Sequence, residues 1–285
     1  MEEKNKVNKS TLYLVATPIG NLADISERAK KVLSEVDFIA AEDTRNSLRL
    51  LSAYGIHKEL VCYFEHNKRQ SGEKIIERLL SGESCALITD AGMPAISDPG
   101  EDIVRLCAEA QISVTVIPGA SAAVSALALS ALSTARFTFE GFLPAKSGER
   151  KKRLSTLSAE ERTMIFYEAP HKLCRTLADM KDIFGENRKI ALCRELTKLN
   201  EQIIRLTLGE AVSLYEEKEP RGEYVLVLEG AEEAGIIPQA SYDTALSPRE
   251  QVEALIAEGM QKKDAIKEIA KRLGVPRSEI YNLMI

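Results

Sequence analysis

The sequence predicts an α/β protein: two successive α/β domains followed by a small helical unit. Three observations carry this. Apolar runs of strand length alternate with amphipathic runs of helix length five times between residues 11 and 117. From about residue 122 the alternation loosens, and the strand-like runs 202–208 and 223–228 have only one helix-sized segment between them, 209–216. Beyond residue 247 only helical patterns remain. The 285 residues suit about two domains at a prior of roughly 150 residues each. The expected division is 1–119 and 120–232 for the α/β domains, 233–246 for a linker and 247–285 for the helices.

The first strand, 11–16, ends in Thr17-Pro-Ile-Gly-Asn21, and Asp24 is placed to cap a helix over 25–33. The second, 36–41, ends at Glu42-Asp43-Thr44-Arg45 before a helix over 46–54 that stops at Gly55. The third, 60–64, ends at Glu65-His66-Asn67 ahead of a helix over 72–80. A fourth strand, 84–89, opens the loop Thr89-Asp-Ala-Gly-Met-Pro-Ala-Ile-Ser-Asp-Pro-Gly100, where Asp98 can cap the helix that Pro99 begins. The fifth, 113–117, ends at Pro118-Gly-Ala-Ser121. Right-handed crossovers would join all five into one parallel sheet, with five polar clusters at the strands' carboxyl ends. Open α/β sheets bind ligands there.

Past a helix over 122–132, the strand-like runs 163–167, 189–193, 202–208 and 223–228 and a helix over 171–183 suggest a second α/β domain with a mixed sheet. The segment 146–153 (KSGERKKR) has five positive charges and one negative, which suits either a solvated helix start or phosphate binding. Ser247-Pro-Arg-Glu250 reads as a capping box with proline at the first helical position. Further helical patterns at 263–273 and 277–284 complete a helix-turn-helix-like unit of three helices. It is either a packing module or a nucleic-acid contact, with six basic and three acidic residues from Gln261 onward.

A net charge of −5 argues against non-specific coating of nucleic acid without excluding a local basic face. Five cysteines without a Cys-x-x-Cys pair, and three histidines without metal-ligand spacing, imply no structural metal. No apolar run is long enough to span a bilayer and no signal peptide is legible, so a cytoplasmic protein with no membrane contact is expected.

Leu14-Val-Ala-Thr-Pro-Ile-Gly-Asn-Leu22, Ala41-Glu-Asp-Thr-Arg45, Glu65-His-Asn67, residues 89–100, Pro118-Gly-Ala-Ser121, Phe166-Tyr-Glu-Ala-Pro-His171, Arg194-Glu-Leu-Thr-Lys198 and Gly222-Glu-Tyr-Val-Leu226 occur in that order. Together they resemble the bacterial small-subunit ribosomal RNA cytidine 2′-O-methyltransferases, a branch of the tetrapyrrole (class III) methylase superfamily. The resemblance runs from about Leu12 to the end. It implies two α/β domains of the tetrapyrrole methylase type, S-adenosylmethionine in the cleft between them, a homodimer, and as substrate a cytidine ribose in the decoding region of 16S ribosomal RNA in the small subunit. Carried onto this chain, it places cofactor contacts at Pro18, Gly20, Gly92, Met93, Ile96, Ser121, Ala122 and Tyr167. Two positions depart from the tetrapyrrole pattern: Thr17-Pro-Ile-Gly20 replaces a glycine-rich loop, and Met93 replaces the aspartate of Gly-Asp-Pro.

Methyl transfer to a weakly nucleophilic ribose hydroxyl calls for positioning and for a base or a stabiliser of the developing alkoxide. Asp43, Arg45, Glu168 and Arg194, all at strand ends, are the catalytic candidates, against readings as helix caps or local ion pairs. His66, Asn67, His171 and Lys198 are candidate substrate contacts, and Lys262, Lys263 and Lys267 candidate docking residues. A corrin or porphyrin C-methylase, a ligand-sensing DNA-binding regulator and an inactive cofactor-binding scaffold are the competing functions.

Overall fold

The computed structural model describes residues 6–216, 218–231, 247–257, 260–273 and 275–284, with backbone alone at 271–273. The predicted linker 233–246 lies outside the described residues. The chain up to Ala231 forms one compact unit, and the C-terminal helices belong to a second.

In the first unit, β1 (Thr11–Val15), β2 (Phe38–Ala41), β3 (Glu59–Cys62), β4 (Cys85–Ile88) and β5 (Ser113–Ile117) form a sheet in the order β3-β2-β4-β1-β5. Every pairing in it is parallel. Strands β2 and β4 are buried at every position, as a sheet covered on both faces requires. One face packs Val15, Ile39 and Ile88 against α1 (Glu27–Glu35) and α2 (Thr44–Ala53). The other packs Leu12, Phe38 and Leu87 against α3 (Lys68–Leu80) and α4 (Gly100–Glu109). Burying each such large apolar side chain contributes about 1.5–3 kcal/mol.

Several helix starts differ from expectation. Ser26, not Asp24, caps α1, its hydroxyl accepting from the Ala29 amide at 3.1 Å. Asp24 lies instead in a short 3-10 turn, Leu22–Asp24, that Asn21 caps. Helix α2 starts two residues early because Asp43 supplies its cap. Helix α3 starts a turn before Gly72, which lies inside it where a Cβ would come within 3.1 Å of Leu106. Pro99 is itself the cap residue of α4, and the Asp98 carboxylate accepts from the Gly100 amide at 2.7 Å.

The second half of the unit holds β6 (Phe137–Phe142), β7 (Thr163–Glu168), β8 (Lys189–Arg194), β9 (Gln202–Thr207) and β10 (Tyr224–Leu228) in the order β6-β7-β10-β8-β9. Only β6–β7 is parallel, so the sheet is mixed as expected. Phe166, Leu192 and Leu226 pack against α6 (Ser147–Thr156), α7 (Pro170–Phe184) and α8 (Leu208–Glu216). Ile165, Cys193 and Val225 pack on the opposite face against α5 (Ala122–Leu129), which ends three residues early where Ser130 turns its hydroxyl onto the Leu127 carbonyl. The basic run is the start of α6 and is largely tied down there. Arg150 is buried in an ion pair with Asp179 at 2.6 Å, Lys151 bridges Asp179 and Asp182, and Arg153 holds Glu140. Those pairings favour the helix-start reading over phosphate binding.

The second unit contains α9 (Pro248–Ala257), α10 (Lys262–Leu273) and α11 (Arg277–Leu283), packed around Val252, Leu255, Ile266, Ile269 and Ile280. The capping box is formed: the Ser247 amide donates to Glu250 Oε2 at 2.6 Å and Glu250 donates back to the Ser247 hydroxyl. Among the described residues no helix is long and apolar enough to cross a membrane.

Candidate functional site

Because all five strands of the first sheet run parallel, the loops after β1, β2, β3, β4 and β5 leave one edge together. Backbone bonds stitch two of them. Thr17 and Gly92 exchange amide-to-carbonyl bonds at 2.9 and 3.1 Å, and the buried Thr17 hydroxyl donates to the Thr89 carbonyl at 3.1 Å. Gly92 has φ +84, and a Cβ there would lie 3.3 Å from Ile19. In the same loop Ala95 and Ser97, neither of them glycine, also take left-handed φ values of 66 and 61. The Asp98 carboxylate holds that shape by accepting from the Ala95 and Gly100 amides.

The second half of the unit meets this edge from across a cleft. Ile19 and Ala122 pack onto the α5 face of the mixed sheet, beside Tyr167. Tyr167 makes edge-to-face contacts with Phe139 and Phe142, at centroid separations of 4.9 and 5.5 Å. Burial pushes its hydroxyl pKa up, against a hydrogen bond from the Ala123 backbone. Opposite Gly20 stands the segment after β8. A Cβ at Gly20 would overlap the Lys198 side chain, and would lie 2.9 Å from the Thr197 hydroxyl. Glu195 and Thr197 again have positive φ, 51 and 66, and the Thr197 hydroxyl is buried with no hydrogen-bond partner among the described residues. Non-glycine residues in such conformations cost about 1–3 kcal/mol and cluster at ligand sites. Of the seven seen here, four fall in these two loops.

The carboxylates at the edge differ in availability. Asp43 accepts from the Arg45 amide at 2.9 Å and pairs with the Arg45 guanidinium at 3.2 Å, which holds its pKa low. Glu42 accepts from the Thr89 hydroxyl at 3.3 Å. Partial loss of solvent, and then the neighbouring Asp90 charge, raise its pKa, with smaller contributions from Asp98 and Asp43. Asn46 donates to Asp90 at 3.3 Å. Burial raises the Asp98 pKa too, but its backbone bonds commit that carboxylate to the loop.

Pro18 and Gly20 follow β1, Gly92, Met93 and Ile96 follow β4, Ser121 and Ala122 lie at the start of α5, and Tyr167 lies in β7. Pro18 is buried, Met93 half-buried and Ile96 exposed. Asp43 and Arg45 lie at the same edge, Asp43 capping α2 and paired with Arg45. Glu168 and Arg194 lie on the other side of the mixed sheet. Each pairs in register with Tyr224, and Tyr224 packs in the α7–α8 core, on the face opposite Tyr167. Glu168 is buried, with one oxygen accepting from the Thr176 hydroxyl and the other from the Ala169 amide. Arg194 donates to the Arg221 carbonyl at 2.6 Å.

His66 and His171 are exposed in the loop after β3 and the first turn of α7. The Asn67 side chain closes its own turn, accepting from Phe64 and donating to Cys62. Lys198 is held between Glu195 and Glu223 at 2.9 and 2.7 Å, so it reads as a brace for the segment that faces Gly20. Lys262, Lys263 and Lys267 are exposed on α10. Sequence reasoning missed Glu42, whose difference from Asp43 is one of environment, and Thr197, whose strain has no signature in composition.

These features fit S-adenosylmethionine as the bound group. Gly92 leaves a cradle that a Cβ would fill, Tyr167 offers an aromatic wall, and the unpartnered Thr197 hydroxyl leaves a polar contact to be made.

The chain matches the family Tetrapyrrole (Corrin/Porphyrin) Methylases over residues 11–212. It is 48% identical to "Ribosomal RNA small subunit methyltransferase I" of Halalkalibacterium halodurans, covering 97% of this chain and 95% of that one. The protein of the same name in Bacillus subtilis is 45% identical over 99% and 96% of the two chains, and that of Escherichia coli O157:H7 43% over 94% and 97%. Among solved structures, uroporphyrin-III-C-methyltransferase from Thermus thermophilus aligns with TM-score 0.56 at 18% identity, over 77% of this chain and 94% of that one. A diphthine synthase aligns with TM-score 0.59 at 13% identity, over 77% and 89%. At these identities the likeness shows a shared fold.

Proposed function

The chain belongs to the ribosomal RNA small subunit methyltransferase I family, within the tetrapyrrole methylases, and from that premise we propose that it transfers a methyl group to the 2′-oxygen of a cytidine ribose in 16S ribosomal RNA. The observation that carries this reading is the cleft itself: a glycine cradle and two strained loops facing the sheet that holds Tyr167, with Glu42 bonded to Thr89 beside them. S-adenosylmethionine supplies, when bound, an electrophilic methyl group on a sulfonium. The chain's own task is to hold the acceptor in line, to exclude water and to take up a proton.

Pro18, Gly20, Gly92, Met93, Ile96, Ser121, Ala122 and Tyr167 are the proposed cofactor contacts. Thr197 joins them through its unpartnered hydroxyl. Glu42 is the proposed proton acceptor, since a carboxylate with a raised pKa is a stronger base than ion-paired Asp43 and is less committed than Asp98. Arg45 is exposed and reaches beyond its pair with Asp43, which suits an RNA phosphate contact together with His66 and His171. The basic surface of α10 suits docking on the small subunit. A homodimer and a cytoplasmic location accompany this reading.

The test uses purified protein, labelled S-adenosylmethionine and small ribosomal subunits lacking 2′-O-methylation, followed by alkaline digestion of the RNA. Label in an alkali-resistant dinucleotide is the expected result. Label in an ordinary mononucleotide would mean methylation of a base and would sink the ribose reading.

A further inference from the structure

A groove of about 320 Å³ lies along the open edge of the first sheet, away from the cleft. Strand β5 is last in the sheet order, and the groove lies over the face of β5 and β1 that α1 covers, beside that open edge. Lys6 and Lys9 line it from the segment before β1, Arg28 from α1, and Thr11, Ser113 and Thr115 add hydroxyls. Among the described residues that line it there is no aspartate or glutamate, in a chain whose net charge is −5. None of the three cations is in an ion pair among the described residues. Arg28 donates through one nitrogen to the Val116 carbonyl at 3.2 Å, which fixes the guanidinium against the strand edge. Lys9 also feels Asp37, whose carboxyl is held low mainly by Ser84 and only slightly by Lys9.

We propose that this groove binds the phosphate backbone of the substrate RNA, as a second contact outside the cleft. The inference rests on the ribosomal RNA reading above. Three cations with neighbouring hydroxyl donors along one groove match a run of phosphates. A five-residue strand spans roughly 16 Å, room for more than one backbone phosphate. The groove also leads to the site, because Ile117 at its end is followed directly by the Pro118–Ser121 loop of the cleft. A second copy of this chain fits poorly, since a two-fold contact would set the same cations against one another.

The experiment compares the wild-type chain with Lys6→Gln/Lys9→Gln/Arg28→Gln in binding small ribosomal subunits across a salt series, with S-adenosylmethionine affinity measured alongside. The expected result is a loss of about tenfold or more in subunit affinity at moderate salt, and a log–log salt slope shallower by about 2 to 3. Cofactor affinity should not change. Because Arg28 braces Val116, the Lys6→Gln/Lys9→Gln pair serves as a second variant, with a slope shallower by roughly 1 to 2. Unchanged affinity and slope in both variants would overturn the groove while leaving the methyltransferase reading intact, provided the wild type labels the subunits. A wild type that neither binds nor labels them would sink both. Loss of self-association in the double variant with an unchanged salt slope would reassign the edge to contact between copies.

Discussion

Both sheets of the first unit have five strands, yet they build the cleft in different ways. The first sheet is wholly parallel, so every strand-to-helix loop leaves by the same edge, and five short polar segments meet there. The second is antiparallel in three of its four pairings. Its loops leave by both ends, and it meets the cleft with one face, through Tyr167, and with one strained segment, Glu195 to Lys198. A parallel sheet thus collects functional groups by topology alone. A mixed sheet contributes them side chain by side chain, according to which face each one takes.

That contrast predicts where substitutions act. The largest effect should come from the parallel edge: Glu42→Gln should lower kcat by about 10²–10⁴-fold with little change in S-adenosylmethionine affinity. The wild-type rate should also fall on the acid side as Glu42 takes up a proton. Since its pKa is raised, that limb should lie above the ordinary value of 4.5, and it should be missing in the variant. An unaltered pH profile in the variant would remove Glu42 as the base.

In the mixed sheet, Thr176→Val should act on stability and not on catalysis. It leaves a buried Glu168 oxygen without its donor, at a cost of about 1–3 kcal/mol in denaturant unfolding, with kcat of the folded protein retained. A collapse of kcat without a change in stability would put Glu168 back in the chemistry. Gly20→Ala probes the seam between the halves. A Cβ there has to displace Lys198 or Thr197, and cofactor affinity should fall about tenfold, equivalent to about 1.4 kcal/mol. Calorimetric titration would read this directly. The smallest effect is expected at Arg194→Gln, within about 0.5 kcal/mol of wild type in kcat/KM, since Arg194 serves the Arg221 carbonyl on the far face. A large loss there would break the distinction between the two sheets.

The same contrast explains what the sequence made legible. Alternation of strand and helix patterns is enough to order a parallel sheet, because each crossover returns the chain to the same edge. The loops after residues 16, 41, 64, 89 and 117 are therefore placed together by the sequence alone. For the mixed sheet the pattern gave the strands but not their partners. Tyr167 and Glu168 are adjacent in sequence and point to opposite faces, so motif proximity could not tell a wall of the cleft from a buried structural carboxylate. Helix starts moved by a turn or less, as where Ser26 in place of Asp24 caps α1. The left-handed φ of Thr197 was invisible because no glycine marks it.

The Tyr167 cluster also makes the protein a convenient optical instrument. The chain contains no tryptophan, so nothing in it gives indole emission, and excitation to the red of its eight tyrosines leaves the rest of the protein dark. Phe142 is exposed and touches the edge of the Tyr167 ring. An indole placed at Phe142 would be the sole tryptophan in the molecule, standing against the aromatic wall of the cleft. Its emission would report ligand arrival and departure in real time, in single-turnover mixing experiments, with no correction for any other fluorophore of its kind.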